Sequence, residues 1–108
     1  MVLPARQRMP RILPSASAKW REEARRLVRD LLRPRITPQE RIGFRRDLRY
    51  AREWVRICEG LERCLRQARA GSRERNTVRS ALFHARLELT ICEDVRERRW
   101  QRRAARRP

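Results

Sequence analysis

The sequence contains a single lysine, Lys19, a single histidine, His84, and only three glycines among its 108 residues. A single histidine on a helix is far more often a structural residue than a catalytic base, which needs a nucleophile or an orienting partner held within reach. The scarcity of glycine leaves no glycine-rich loop that could cradle a phosphate group. These absences argue against an enzyme, and we expect a structural role for His84.

Cysteine is also scarce, and the three present are Cys58, Cys64 and Cys92. An odd number of cysteines without a secretory signal peptide argues against a disulfide framework and favours a reducing compartment. Cys58 and Cys64 are six residues apart and lie about 240° apart around a helix, which does not suit a shared metal ion. We therefore expect no metal and no cofactor. Since no apolar run approaches the roughly 18 residues of a membrane-spanning helix, we also expect no span.

Arginine, in contrast, is abundant. The 30 basic residues are Lys19 and 29 arginines, and they face 13 acidic residues, which gives a formal net charge of +17. Hydrophobic residues still make up 40% of the chain, which predicts a folded segment rather than a disordered protein. A compact chain of this charge repels itself and is expected to lie against a polyanion. Because arginine grips phosphate bidentately and stacks on bases, the predicted partner is RNA or a ribonucleoprotein.

Hydrophobic spacing predicts three helices and no strand, that is, an all-α fold. The first helix is predicted from about Ser17 to Arg33, with Ser15 or Ser17 as its N-cap and Pro34 just beyond its end. Its apolar residues recur at intervals of four, three and four, and they are Trp20, Ala24, Leu27 and Leu31.

The second helix is predicted from Pro38 to about Arg69. Thr37-Pro38-Gln39-Glu40 has the pattern of a capping box with proline at the first helical position. Two apolar stripes along this helix predict contacts with neighbours on two sides, as in the middle member of a bundle. The first stripe is Phe44, Leu48, Ala51, Val55 and Cys58, and the second is Trp54, Ile57, Leu61, Cys64 and Ala68.

Gly71 is placed to form a left-handed turn after the second helix, and Ser72 to cap the third. The apolar stripe of the third helix is Val78, Leu82, Ala85, Leu89 and Cys92. We expect a long antiparallel helical hairpin with the shorter first helix packed across it, forming one helical domain over residues 17–100. A basic N-terminal arm at residues 1–16 and a basic C-terminal tail at residues 101–108 are expected to be disordered or extended.

The N-terminal segment of residues 1–21 carries five cations and no acid. This composition is typical of a mitochondrial presequence, although Pro4, Pro10 and Pro14 interrupt the amphipathic helix that a presequence forms. A basic arm that binds RNA directly has the same composition. Both interpretations stay open, and the predicted location is the mitochondrial matrix, with the cytoplasm or nucleus as alternatives.

The predicted RNA-binding residues fall into two groups, one on the second helix and one at the end of the chain. Arginines spaced by four, three and four residues form a strip on the second helix. Because few acids accompany them, phosphate contact is favoured over a merely solvated face. The second group surrounds Trp100, whose ring could stack on a base or plug a hydrophobic rim. The full set is Arg45, Arg49, Arg52, Arg56, Arg63, Arg66, Arg98, Arg99, Trp100, Arg102, Arg103, Arg106 and Arg107.

A short stretch from Leu27 to Arg33, Leu-Val-Arg-Asp-Leu-Leu-Arg, followed by Phe44-Arg45, resembles the LYR-motif family of mitochondrial proteins. Val28 stands where that family has tyrosine, and the resemblance covers about residues 20–70. It implies a three-helix assembly factor or accessory subunit that binds an acyl carrier protein. On this resemblance the residues in contact with the carrier would be Leu27, Arg29, Arg33, Phe44 and Arg45.

The predicted function is that of a small structural RNA-binding protein, an accessory component of a mitochondrial ribosome or another ribonucleoprotein, with neighbouring proteins as further partners. Binding is expected to depend on shape and charge rather than on base sequence, because no zinc-finger spacing or RNA-recognition-motif signature occurs. The alternatives are an LYR-type assembly factor and a basic subunit of some other large assembly.

Overall fold

A computed structural model of the chain describes residues 15–106, and this part of the chain contains three helices and no strand. They are α1 (Ala16–Leu31), α2 (Pro38–Gln67) and α3 (Arg73–Ala105). The predicted all-α class, with one shorter helix and a long helical hairpin, is confirmed. Both interpretations of the N-terminal arm concern residues that lie mostly outside the described part of the chain, and so does Arg107.

Helix α1 begins at the first of the two serines that were candidates for its cap. The Ser15 side chain accepts a hydrogen bond from the backbone N–H of Ala18 at 3.1 Å. Ser17 is buried and binds Glu62 instead, because its backbone N–H and its hydroxyl donate to the two carboxylate oxygens at 3.0 and 2.6 Å. These bonds join the start of α1 to the end of α2, so the two helices run antiparallel.

Helix α2 begins with the predicted capping box. The Glu40 backbone N–H donates to Thr37 Oγ1 at 3.0 Å, and the Thr37 backbone N–H donates to Glu40 Oε1 at 2.9 Å. Two backbone donors that the helix itself cannot satisfy therefore find partners. The hydrogen bond from the Thr37 backbone lowers the pKa of the Glu40 carboxyl below its ordinary value, with the charge of Arg103 acting in the same direction.

Thr37→Ala is expected to lower the free energy of unfolding by about 1 kcal/mol, because it removes the side-chain half of this cap. The contribution of ionised Glu40 is present above its unfolded pKa and is lost as the pH falls through its lowered folded pKa. Urea unfolding at neutral and acidic pH measures both effects. Thr77→Ala is the matched control, since the exposed Thr77 hydroxyl only bonds to the Arg73 carbonyl of its own helix. Equal losses for the two variants would contradict the capping role.

The two apolar stripes predicted for α2 have different environments. The first is buried, with Phe44, Ala51 and Cys58 each at most 2% exposed. In the second stripe Trp54 packs against the core, whereas Ile57 is 48% exposed and Cys64 is exposed as well. The expectation that neighbours cover both stripes is wrong for these positions, because α1 and α3 approach α2 from adjacent directions and leave its outer side open.

The α2–α3 connection contains the predicted left-handed glycine, Gly71, with φ 77°, and Ser72 caps α3 by accepting from the Arg75 backbone N–H at 3.1 Å. Helix α3 is longer than predicted. Residues 101–105, expected in an extended tail, continue the helix to Ala105. None of the helices in the described range is long and apolar enough to cross a membrane.

The core is joined across all three helices by aromatic residues. The Trp20 ring of α1 stacks on Trp54 of α2 at 5.6 Å, and its Nε1–H donates to the Ala85 carbonyl of α3 at 3.1 Å. At the other end of the molecule, Phe44 of α2 stacks on Trp100 of α3 at 5.7 Å. These contacts fix the order in which the helices pack and hence which of their faces remain exposed.

Two acidic side chains of α1 are buried on the side that meets α3. Glu23 is 1% exposed and accepts from Arg96 Nε at 2.8 Å, with Arg26 at 3.5 Å. Asp30 is 3% exposed and accepts from Trp100 Nε1 at 3.2 Å. Burial alone lowers the pKa of Arg96, but the hydrogen bond and charge of Glu23 outweigh it and the pKa is raised. This ion pair is therefore an internal part of the fold.

Candidate nucleic-acid interface

The strip of arginines predicted on α2 is exposed along its whole length. None of their side chains takes part in an ion pair or hydrogen bond within residues 15–106. Arg63 and Arg66, further along α2, are exposed and unpaired in the same way. We call the four members of the strip the α2 row: Arg45, Arg49, Arg52 and Arg56.

Helix α1 contributes a second row of arginines beside the first, which the sequence analysis missed. Its members, the α1 row, are spaced by four residues and are exposed: Arg21, Arg25 and Arg29. Arg21 and Arg25 line a shallow depression of about 400 Å³ together with Arg52 and Arg56 of the α2 row. Apolar side chains, including Val28 and Val55, complete the lining. The α1 row and the α2 row together form what we call the arginine surface.

The carboxylates near the arginine surface are few and lie at its margins. Arg21 forms an ion pair with Glu59 of α2, and Arg25 Nη1 lies 2.8 Å from Glu22 Oε2. The hydrogen bond from Arg25 lowers the pKa of Glu22 below its ordinary value, and the charges of neighbouring arginines add to this effect. Exposed ion pairs of this kind contribute little stability, so a phosphate group can replace either carboxylate at low cost.

The C-terminal part of the predicted RNA-binding set is largely engaged within the protein. Trp100 packs against Phe44, the Arg33 guanidinium lies 4.1 Å from its ring centroid, and its Nε1–H is bound to Asp30. Of the two roles considered for Trp100, the structure supports a plug in a hydrophobic rim. Stacking on a base would require these contacts to be given up.

The C-terminal arginines divide into paired and unpaired groups. Arg98 pairs with Asp94 at 3.1 Å, Arg99 pairs with Asp47 at 2.5 Å, and Arg103 donates to the Arg35 carbonyl at 2.8 Å. The two exposed members without a partner among the described residues are Arg102 and Arg106, which line a cleft of about 300 Å³ between the start of α2 and the end of α3.

The residues assigned to a carrier protein by the LYR resemblance do not share one surface. Leu27 and Phe44 are each 2% exposed and belong to the core. Arg33 lies against Trp100 and 3.7 Å from Asp30, so it serves the junction of α1 and α3. The two remaining residues, Arg29 and Arg45, are exposed members of the arginine surface. Direct contact of a partner with Leu27 or Phe44 would require the core to open.

The three cysteines and the single histidine are not members of the arginine surface. Burial raises the pKa of the Cys58 and Cys92 thiols to about 11, so both are protonated at neutral pH. Cys64 is exposed, and His84 Nε2 is 4.0 Å from the Glu88 carboxylate. Among residues 15–106 no group of three histidine, cysteine or acidic side chains is arranged to hold a metal ion.

Comparisons of the chain with known protein families, with curated proteins and with solved structures gave no match. The resemblance to LYR-motif proteins therefore stays a prediction from two short motifs. The described residues form a three-helix, all-α fold that presents an arginine surface made of two rows.

Proposed function

We propose that this protein is a small structural RNA-binding protein that holds the phosphate backbone of structured RNA on its arginine surface. The observation that carries the proposal is the α2 row, four aligned and exposed guanidinium groups without a carboxylate partner among the described residues. Guanidinium groups bind phosphate oxygens bidentately, and each phosphate neutralised releases condensed counterions. If these arginines served to stabilise the fold, they would form ion pairs within the protein.

The arrangement supports backbone contact without base readout. Most aromatic side chains of the described residues pack in the core. Of the others, Tyr50 of α2 donates to Glu88 of α3, and Phe83 lies on the exposed side of α3. No aromatic ring therefore stands among the arginines to stack on a splayed base. The proposed ligand is double-helical or otherwise structured RNA within a ribonucleoprotein such as a mitochondrial ribosome, where a charge of +17 is offset by RNA.

Affinity for duplex RNA measured as a function of salt tests this proposal. With four or more phosphates neutralised, log affinity is expected to fall against log salt with a slope of about −3 or steeper between about 50 and 200 mM. Fluorescence anisotropy with nuclease-treated full-length protein provides the measurement, and a DNA duplex of the same sequence should bind within a few-fold. Absence of binding, or binding that ignores salt, would contradict the proposal.

A further inference from the structure

Helix α3 presents a ridge of large apolar side chains on its outward side. The four residues are spaced by four, which places them on one inclined row of the helix surface. They are 40–64% exposed although all four are large apolar side chains. We call this row the α3 ridge: Phe83, Leu87, Ile91 and Val95.

No basic residue lies among the four members of the α3 ridge, and Arg98, next to its C-terminal end, is paired with Asp94 at 3.1 Å. The residues that share its outward face over four turns are uncharged or acidic. They are Ser80, His84, Thr90 and Asp94. To pack on α1 and α2, helix α3 needs only its buried apolar stripe, in which Ala85 and Leu89 are at most 4% exposed. A second, exposed apolar face on the same helix is typical of a protein contact.

We propose that the α3 ridge is a homodimer interface, on which a second copy of this chain packs its own α3 antiparallel about Leu87. Two molecules of charge +17 repel each other, and along the four ridge residues themselves the two copies would meet through apolar side chains rather than arginines. Each copy would cover apolar side chains of the other that a monomer leaves exposed to water.

Charge complementarity at the flanks supports an antiparallel pairing. Arg79 lies eight residues before Leu87 and Glu97 lies ten residues after it, so both fall about 80° to the same side of the ridge. Their axial distances from Leu87 are about 12 and 15 Å. In an antiparallel pair the same flanks face each other, which brings Arg79 of each copy beside Glu97 of the other. Both side chains are exposed and have no partner among the described residues.

The proposed dimer leaves the arginine surface free. Helix α3 contacts α2 through Asp47 and Tyr50, and Asp47 lies nearly opposite to the α2 row around the helix. Phe83 and Leu87 face outward from α3, further from that row, and Ile91 and Val95 also border a groove beside Asp47 and Tyr50 of α2. The two arginine surfaces of a dimer therefore point away from each other, and a dimer could bind two RNA segments. The inference does not rest on the proposed function.

Salt separates the two proposals, because it acts on them with opposite sign. Screening weakens the repulsion between two cationic copies and leaves apolar burial intact, so dimerisation is expected to strengthen as salt rises. Phosphate binding weakens over the same range. Beyond the ends of the ridge, Arg73 of one copy lies opposite Arg102 of the other in this register, which adds to the repulsion at low salt.

Sedimentation equilibrium of the full-length, nuclease-treated protein at low and high salt is the experiment. The expected result is a dimer at about 100 µM protein in high salt, where an association of micromolar affinity is complete. Leu87→Glu should give a monomer under the same conditions. Ile42→Glu is the matched control, since Ile42 is 66% exposed on α2 and should leave the dimer unchanged. Circular dichroism checks that both variants keep their helices.

A charge swap tests the antiparallel register. Arg79→Glu and Glu97→Arg should each weaken dimerisation at least several-fold, and the double variant should restore it. A protein that is monomeric at every concentration and salt would overturn the proposal. A dimer that survives Leu87→Glu, or a double variant that fails to recover, would overturn it as well.

Discussion

Replacing Arg45, Arg49, Arg52 and Arg56 together by glutamine is expected to weaken duplex RNA binding about 100-fold at roughly 100 mM salt and to make the log–log salt slope shallower by about three to four. The four side chains are exposed and unpaired, so their loss removes phosphate contacts without breaking a contact of the fold. Thermal stability should stay the same or rise, because like charges are removed from one strip.

Two control variants separate phosphate contact from total charge. Replacing the same four arginines by lysine keeps the charge and removes the planar fork, so the salt slope should be retained while affinity falls moderately. Arg69→Gln combined with Arg73→Gln removes two exposed charges near the α2–α3 turn and should reduce affinity far less per charge. If this distant pair matched the loss per charge of the α2 row, the arginine surface would not be the binding site.

Glu23→Ala is expected to destabilise the fold by about 3–5 kcal/mol, the largest stability effect we predict. Glu23 is 1% exposed and accepts from Arg96 Nε at 2.8 Å. Its removal leaves Arg96, which is only 16% exposed, without its partner between α1 and α3. Urea unfolding followed by circular dichroism measures the loss. Glu53→Ala, at an exposed glutamate of α2 without a partner in residues 15–106, should change stability by about 0.5 kcal/mol or less.

A double variant tests whether the cost of Glu23→Ala comes from the unpaired cation. Glu23→Met combined with Arg96→Met replaces the buried pair by apolar side chains of similar size, which is often neutral or stabilising. We therefore expect the double variant to recover most of the stability that Glu23→Ala loses. A single variant that costs less than about 1 kcal/mol would show that the ion pair is not part of the internal structure.

The features predicted correctly from the sequence depend on local chemistry. The capping box at Thr37, the cap at Ser72 and the left-handed Gly71 each follow from a few adjacent residues, and all three are present. The buried stripes of α2 and α3 follow from helical periodicity. The α2 row was also found in this way, because four arginines at helical spacing share a face whatever the neighbouring helices do.

The features missed depend on contacts between distant segments. The burial of Glu23 could not be predicted, since nothing local indicates that Arg96, 73 residues later, meets it in the core. Trp100 was placed beside a disordered or extended tail, but it contacts Asp30 and Phe44, and α3 continues past it to Ala105. The spacing by four could have revealed the α1 row, but its position beside the α2 row depends on how α1 packs on α2.

The most direct test of the central claim, that the arginine surface holds RNA, is to observe the arginine side chains themselves. Nuclear magnetic resonance of the Nε–Hε groups should show the signals of the α2 row shifting or broadening when duplex RNA is added. The signals of Arg96 and Arg99, which are bound to Glu23 and Asp47, should stay unchanged. Perturbations confined to Arg102 and Arg106, or absent from the α2 row, would contradict the account.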